Sequence, residues 1–262
     1  MTSALSLGID LASQAAKTAA CVIAWSDATG MATASCPRLG LTDPDLLDLA
    51  DGCDVVGIDA PFGWPDPFVA FLDPQRSESE TASAWTTDRR DALRFRTTDF
   101  RVRDRLGRWP LSVSTDRIAL AAMRCAGLLA HLGVADRSGD GRVFEVYPAA
   151  ALHACGFAHR GYKPREGTAL RDNSFLAALL DNLLARCPWL TLADDAVRLC
   201  AQNDDAFDAL IASLVARAAA AGLTIRPAAI DAERAMREGW IAVPEPKSLE
   251  RLTSPDIHSL LK

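Results

Sequence analysis

Residues 5–10 read Leu-Ser-Leu-Gly-Ile-Asp, and residues 55–59 read Val-Val-Gly-Ile-Asp. Each segment is a short apolar run, typical of a buried strand, and each ends in the same Gly-Ile-Asp tripeptide. A lone aspartate at a strand end commonly serves as a turn or cap residue. The repetition of one tripeptide is harder to explain by capping, and it indicates a shared role for Asp10 and Asp59.

The rest of the chain predicts a single α/β domain of 262 residues. Strands are expected at 5–9, 18–25, 31–39, 55–58 and 143–147, and helices at 42–51, 115–132, after Pro148, at 172–186 and at 204–221. A polar loop is expected near 160–171 and a closing tail at 240–243. The Pro-, Trp-, Ser- and Arg-rich segment 61–111 is too long for an ordinary loop, and we interpret it as an insertion that is functional or partly helical.

The two aspartates are expected at one edge of a mixed sheet. If the first strand and the strand after the first helix are parallel neighbours, both side chains emerge at the carboxyl edge, where open α/β sheets bind ligands. Asp10 and Asp59 would then reach one cation.

Two further regions offer acidic ligands. Asp204, Asp205 and Asp208 begin a helix whose apolar stripe places Asp208 at the border of the buried face and Asp205 further toward solvent. Acids also favour a helix N-terminus for electrostatic reasons, so position alone does not make them ligands. Glu145 alternates with apolar residues in the strand 143–147 and is a secondary catalytic candidate, although on an edge strand it would simply face water.

The composition narrows the class of protein. The formal charge is −6, seven cysteines are scattered without C-x-x-C spacing, and only four histidines occur, which argues against structural zinc and a disulfide framework. No apolar run approaches the length of a membrane span, and no basic segment precedes the first apolar run, so we expect a cytoplasmic protein. Carboxylates without a histidine triad suit Mg²⁺ or Mn²⁺, which can act in pairs on a phosphodiester.

Six motifs resemble those of the DUF429 family, a group of predicted nucleases with a ribonuclease H-like, resolvase-related fold. They are Leu-Gly-Ile-Asp-Leu-Ala (7–12), Val-Val-Gly-Ile-Asp-Ala-Pro (55–61), Arg-Thr-Thr-Asp (96–99), Glu-Val-Tyr-Pro (145–148), Asp-Asp-Ala-Phe-Asp-Ala-Leu (204–210) and Glu-Gly-Trp-Ile-Ala-Val-Pro (238–244). The resemblance implies a sheet of order 3-2-1-4-5 and a two-metal nuclease. It matches Asp10, Asp59 and the Asp205/Asp208 pair to metal ligands, and it leaves Glu145 as the one counterpart of a further resolvase-type glutamate.

The segment from 89 to 108 contains eight arginines interleaved with aspartates. This pattern fits either a salt-bridged, solvated surface or a phosphate clamp for DNA or RNA. The clamp would use Arg94, Arg96, Arg101 and Arg103, with bases stacking on Trp85, Phe95, Phe100 and Trp109.

Two other classes of protein remain open alternatives. One is a non-catalytic module that binds nucleic acid or protein on the same fold, and the other is an ATPase related to sugar kinases. The second needs glycine-rich phosphate loops, whereas Asp10 is followed by Leu-Ala-Ser-Gln. The sequence also leaves open whether the chain forms a homodimer.

Overall fold

The structure, a computed structural model, describes residues 4–26, 28–73, 84–158, 161–163 and 174–253. Its strands form one mixed sheet: β1 (Ala4–Asp10), β2 (Ala19–Ser26), β3 (Met31–Ala34), β4 (Arg38–Leu39), β5 (Val55–Asp59), β6 (Val143–Glu145) and β7 (Leu190–Leu192). The order is β6-β5-β1-β2-β3-β7, and β4 pairs with the far end of β2. The expected mixed α/β sheet is therefore confirmed.

Strand pairing is antiparallel on one side of β1 and parallel on the other. β1 pairs antiparallel with β2, and β2 with β3, whereas β1, β5 and β6 run parallel. The expected third strand is split into β3 and β4 around Pro37, which has no N–H group for a ladder hydrogen bond. β7, parallel to β3, was not predicted because three residues carry no readable alternation.

The described helices are α1 (Asp43–Asp51), α2 (Asp66–Leu72), α3 (Thr87–Arg94), α4 (Thr97–Leu106), α5 (Ala119–His131), α6 (Pro148–Ala154), α7 (Ser174–Arg186), α8 (Asp194–Gln202), α9 (Asp204–Ala220) and α10 (Ala232–Glu238). Three of them, α2 to α4, lie in the segment interpreted as an insertion. α5 begins later than predicted because Ser112 and Asp116 close a turn before it, with the Ser112 N–H 2.8 Å from Asp116 Oδ2. Most of the predicted polar loop at 160–171 lies outside the described residues. No helix in the described ranges has the length and apolar character needed to cross a membrane.

The two faces of the sheet carry different helices. On one face, Leu7, Ile9, Val56 and Ile58 pack against α1 and α5. On the other, α6 to α9 form the larger part of the core. Because successive strand residues alternate between faces, Gly8 and Asp10 project toward α9 with Ser6. Ser6 Oγ lies 2.8 Å from Ser213 Oγ of α9.

Helix α9 lies unusually close to the centre of the sheet. A Cβ atom on Gly8 would lie 2.1 Å from the carbonyl oxygen of Ala209, and one on Gly57 would lie 2.6 Å from that of Ala212. The helix is also buried continuously from Ala206 to Ala219. It is thus not the half-exposed amphipathic helix that the sequence indicated, and Asp208 lies inside the molecule and not at a border.

Candidate metal centre

Three carboxylates converge at the carboxyl edge of β1 and β5. Asp10 and Asp59 are direct partners in the parallel pairing of these strands, two residues beyond the glycines that α9 covers. Asp208 projects from the first turns of α9 toward the same point. One oxygen from each carboxylate lies within 4.8 Å of the others. Among the described residues this is the one group of three metal-ligating side chains, and it could hold a metal ion.

Tyr162 and Lys163 hold Asp208 in place. The Tyr162 hydroxyl donates a hydrogen bond of 2.9 Å to Asp208 Oδ1, and its ring packs edge-on against Phe207. The Lys163 ammonium forms an ion pair with Asp208 Oδ2. That oxygen, which is fully buried, accepts no hydrogen bond of normal geometry from the described part of the chain. Tyr162 and Lys163 thus contact the two oxygens of Asp208, and a metal ion bound at Oδ2 would lie beside the ammonium.

Protons compete for the cluster. Burial, together with the mutual repulsion of the carboxylates, raises the pKa of Asp10 well above its usual value and that of Asp59 to about 7, although Lys163 opposes both shifts. The pKa of Asp208 is raised for the same leading reason, burial. Burial alone would lower the pKa of Lys163, but the charge of Asp208 outweighs it and raises that pKa well above its usual value. The carboxylates thus favour a bound cation or proton.

A cleft of about 270 Å³ opens beside the carboxylates. Asp10 and Asp59 lie in its floor, and Lys163 and Arg117 contribute positive charge to its wall. The remaining lining combines apolar residues, among them Pro61, Leu111 and Ile118, with the charged side chains of Arg96, Asp99 and Glu145. Tyr147 also lines it, and burial together with the charge of Asp59 raises the pKa of its hydroxyl. The acids are therefore accessible to a ligand with an anionic group and an apolar part.

Asp205 stands outside the cluster. It is only half-buried, and its carboxylate is absent from the group within 4.8 Å. The pKa of Asp205 is nevertheless raised, first by desolvation and then by Asp204. The sequence-based preference for Asp208 over Asp205 as the inward residue agrees with this placement.

Glu145 lines the same cleft as Asp10 and Asp59 but is engaged in an ionic network of its own. In the pairing of β5 with β6 it is the partner of Ile58, so its side chain projects to the face opposite Asp59. Both of its oxygens accept hydrogen bonds from Arg96, at 2.7 and 2.8 Å, and Oε2 also accepts the Phe62 N–H at 3.0 Å. Burial raises the pKa of Glu145 even though Arg96 opposes the shift. Glu145 is outside the group of converging carboxylates, and a catalytic role for it stays a prediction.

Arg96 is buried and fully engaged. Its guanidinium donates to Glu145, to both oxygens of Asp99 and to the carbonyl oxygen of Glu238, which uses all five of its N–H groups. It is 2% exposed. Arg96 therefore has no donor left for a phosphate, which removes it from the expected clamp.

Glu238 ties the network to two helices. Its carboxylate accepts the N–H of Asp66 at the start of α2 and that of Thr97 at the start of α4. The adjacent tail runs beside β6, where the Ala242 N–H donates to the Glu145 carbonyl oxygen. Three of the six motifs, those at 96–99, 145–148 and 238–244, thus meet in one buried ionic network and not in the carboxylate cluster.

The other expected phosphate-binding arginines lie away from the carboxylates. Arg101 is paired with Asp231, and Arg103 lies over the Trp109 ring and is half exposed. The Arg94 guanidinium lies 4.7 Å from the centroid of the Phe95 ring. None of these three is among the described residues that line the cleft.

The aromatic side chains expected to stack on bases largely stack on one another. Phe95 and Trp109 are parallel at 3.9 Å between ring centroids, and Phe100 packs edge-on against both. Trp85, in contrast, is 71% exposed. The cluster of Phe95, Phe100 and Trp109 therefore stabilises the 84–111 region, whereas the Trp85 indole faces solvent.

Sequence reasoning missed Tyr162, Lys163 and Arg117 as residues of the site. Lys163 is one of only four lysines in a chain whose other basic residues are arginines, and this rarity is a weak signal in the sequence. Nothing in the spacing of Tyr162 or Arg117 relates either one to Asp10 or Asp59. These three residues reach the site only through the tertiary fold, which brings their segments to the edge of the sheet where Asp10 and Asp59 lie.

Comparison with known proteins gives one finding. No curated protein matches the chain, and no solved structure does. One family model, described as a protein of unknown function, matches residues 8–234, which include all three clustered aspartates and most of the Arg96 network. On this match the chain belongs to the DUF429 family.

Proposed function

We propose that this chain is a metal-dependent nuclease in which Asp10, Asp59 and Asp208 bind Mg²⁺ or Mn²⁺. The observation that carries the proposal is the convergence of three carboxylate oxygens within 4.8 Å at the floor of an open cleft. Burying like charges so close together is costly unless a cation is shared between them. The arrangement therefore fits a binding site better than a structural one.

The ligand chemistry fits a hard divalent cation. Mg²⁺ and Mn²⁺ prefer carboxylate and water oxygens, and this cluster presents carboxylates without histidine or cysteine. The strand order β3-β2-β1-β5-β6, with acids at the ends of β1 and β5 and on α9, supports a ribonuclease H-like reading of the sheet. Nucleases of that superfamily give the proposal its reaction class.

The cleft has charged and apolar groups suited to the hydrolysis of a phosphodiester. Hydrolysis joins a water oxygen to phosphorus and breaks one P–O ester bond, and negative charge grows on the phosphate oxygens before the leaving alcohol takes a proton. A bound divalent ion supplies Lewis acidity and lowers the pKa of water. Lys163 and Arg117 place positive charge on the same wall, and the apolar lining excludes water around the ester.

Metal binding and cleavage test the proposal together. Calorimetry on the Asp10→Asn variant should show Mn²⁺ affinity reduced at least tenfold, about 1.4 kcal/mol, because one carboxylate ligand is lost. Asp208→Asn should abolish Mg²⁺-dependent cleavage of labelled DNA or RNA, whereas Asp205→Asn, the matched control on the same helix turn, should retain a measurable fraction. Unchanged Mn²⁺ binding in Asp10→Asn, or equal loss in the two helix variants, would contradict the assignment.

A second function is favoured by one observation. The ion pair of Lys163 with Asp208 neutralises part of the negative charge of the cluster without a metal ion. This is compatible with a non-catalytic binding module, which needs no metal for a reaction. Such a module would bind nucleic acid, with or without Mn²⁺, but would cleave none of the single-stranded, duplex and branched substrates. Cleavage that disappears in Asp208→Asn excludes it.

A further inference from the structure

The cluster holds fewer charges than a two-metal site requires. Its three carboxylates and the ammonium of Lys163 leave a net charge of −2 when all four groups are ionised. One divalent cation neutralises that charge. Two would leave an excess of two positive charges in a partly buried place, and charge that is unpaired in such surroundings is costly.

The other acidic residues that the sequence indicated as candidates do not join the cluster. Glu145 lines the cleft, but both of its oxygens accept hydrogen bonds from Arg96, and the Asp205 carboxylate is outside the group of converging oxygens. No other carboxylate of the described residues joins the cluster. The ligand set is thus that of a single ion.

Lys163 lies where a second cation would be useful. Its ammonium contacts Asp208, one of the three clustered carboxylates, and its side chain lines the cleft beside Asp10 and Asp59. The side chain is half exposed, so the ammonium can meet a ligand from the cleft without leaving the carboxylate. It has three donors, of which the ion pair occupies only part.

We propose that the site works with one divalent ion, and that Lys163 serves as its second, built-in cation. The inference rests on the proposed function and makes it narrower. Lys163 would remain paired with Asp208 while it donates to an oxygen of the scissile phosphate. In this way the ammonium supplies the positive charge that a second metal ion supplies in two-metal sites about 4 Å across.

The number of bound ions tests the inference without any need for activity. Wild-type protein, freed of metal by chelation, is titrated with Mn²⁺ by calorimetry, and its electron paramagnetic resonance spectrum is recorded at saturation. We expect one equivalent and the spectrum of isolated Mn²⁺, without the spin coupling of a neighbouring pair. Two equivalents with a coupled spectrum would overturn the inference but leave the nuclease proposal standing, whereas no binding would overturn both.

A charge-removing variant with a charge-keeping control tests the role of Lys163 itself. Lys163→Met keeps the length of the side chain but removes the repulsion of an incoming cation, so Mn²⁺ affinity should rise at least tenfold. Without metal the melting temperature should fall, and Mn²⁺ should restore it. Lys163→Arg, which keeps the charge, should bind Mn²⁺ as wild type does. A Lys163→Met variant with unchanged or weaker Mn²⁺ affinity would show that the lysine is only structural, and circular dichroism checks the fold of both variants.

Discussion

Arg96 and Glu145 form a bidentate ion pair, with the two guanidinium nitrogens 2.7 and 2.8 Å from the two carboxylate oxygens. Both side chains are nearly inaccessible to solvent. The pair joins the segment after β5 to β6, and through the Glu238 carbonyl oxygen it reaches the tail. An arginine and a glutamate that the sequence indicated as substrate-binding and catalytic residues thus form a structural link in the wall of the cleft.

Removal of Arg96 should therefore lower the free energy of unfolding, because the side chain is a structural link and not part of an exposed binding surface. Arg96→Met leaves Glu145 and Asp99 buried without their counter-ion, a loss that typically costs about 3–5 kcal/mol of unfolding free energy. Urea denaturation measures it. Arg103→Met, the exposed control, should cost less than about 0.5 kcal/mol. Similar small losses in both variants would mean that the network contributes little.

The close approach of α9 to the sheet gives a second prediction. Gly57→Ala places a methyl group 2.6 Å from the Ala212 carbonyl oxygen, so the helix carrying Asp208 must move away from β5. Thermal unfolding should show a clear loss of stability, and Mn²⁺ affinity should fall with it. Gly127→Ala, in α5 where the added atom meets nothing within 4 Å, should instead stabilise by roughly 1 kcal/mol. Equal behaviour of the two variants would contradict the packing described for α9.

Sequence reasoning could place Asp10 and Asp59 because strand alternation and parallel pairing are local rules that follow from the Gly-Ile-Asp repeat. It could rank Asp208 above Asp205 from a helical wheel, but not predict its complete burial, since the residues that cover α9 come from distant segments. Glu145 was harder. Its alternation with apolar residues was visible in the sequence, whereas the register that pairs it with Ile58 is decided by the sheet.

Ion-pair partners were beyond the reach of the sequence for a similar reason. Arg96 is one of eight arginines between 89 and 108, and nothing local distinguishes it from Arg103. The two differ because Arg96 donates to the Glu145 carboxylate, 49 residues away, and to the Glu238 carbonyl oxygen, 142 residues away, whereas Arg103 lies over Trp109. The pattern of charged residues in the sequence gives the number of arginines but does not show which of them are buried.

Tyr162 provides a test of how Asp208 is oriented. Tyr162→Phe removes the 2.9 Å hydrogen bond to Oδ1 but keeps the ring against Phe207. Partners that orient a metal ligand typically contribute 10- to 100-fold in affinity, so calorimetry should show Mn²⁺ binding weakened by roughly that factor. The melting temperature without metal serves as the control for packing. Wild-type affinity in Tyr162→Phe would mean that Lys163 alone positions the carboxylate.

The raised pKa of Asp59 predicts an unusual dependence of stability on pH. Its pKa is about 7 in the folded chain and about 3.9 when unfolded, so between these values the folded state binds more protons. Metal-free protein should therefore lose the contribution of this group as the pH rises from about 4 to 7. Melting temperatures of wild type and Asp59→Asn across that range measure it, and the variant should show a weaker decline. Saturating Mn²⁺ should reverse the trend in wild type, because fewer protons then compete for the carboxylates.

The last prediction concerns nucleic-acid contacts of the arginine-rich segment. With Arg96 buried and Arg101 held at 2.8 Å by the buried Asp231, the best remaining candidate for a phosphate contact is Arg103, which is half exposed and only 3.7 Å from the exposed Asp104. Arg103→Ala should reduce the slope of log affinity against log salt by about 0.7 on single-stranded DNA, whatever its sequence, if one contact is lost. Fluorescence anisotropy at several salt concentrations measures the slope.

Arg198→Ala, an exposed arginine on α8 outside that segment, is the matched control and should keep the wild-type slope. Arg101→Ala should change the slope little, since its charge is already offset by Asp231. If Arg103→Ala also keeps the full slope while wild type binds, the phosphate contacts must come from the cleft itself, where Lys163 and Arg117 carry the positive charge. If wild type binds no nucleic acid at any salt concentration, the arginines form a solvated surface, and the ligand of the cleft is a small phosphorylated molecule.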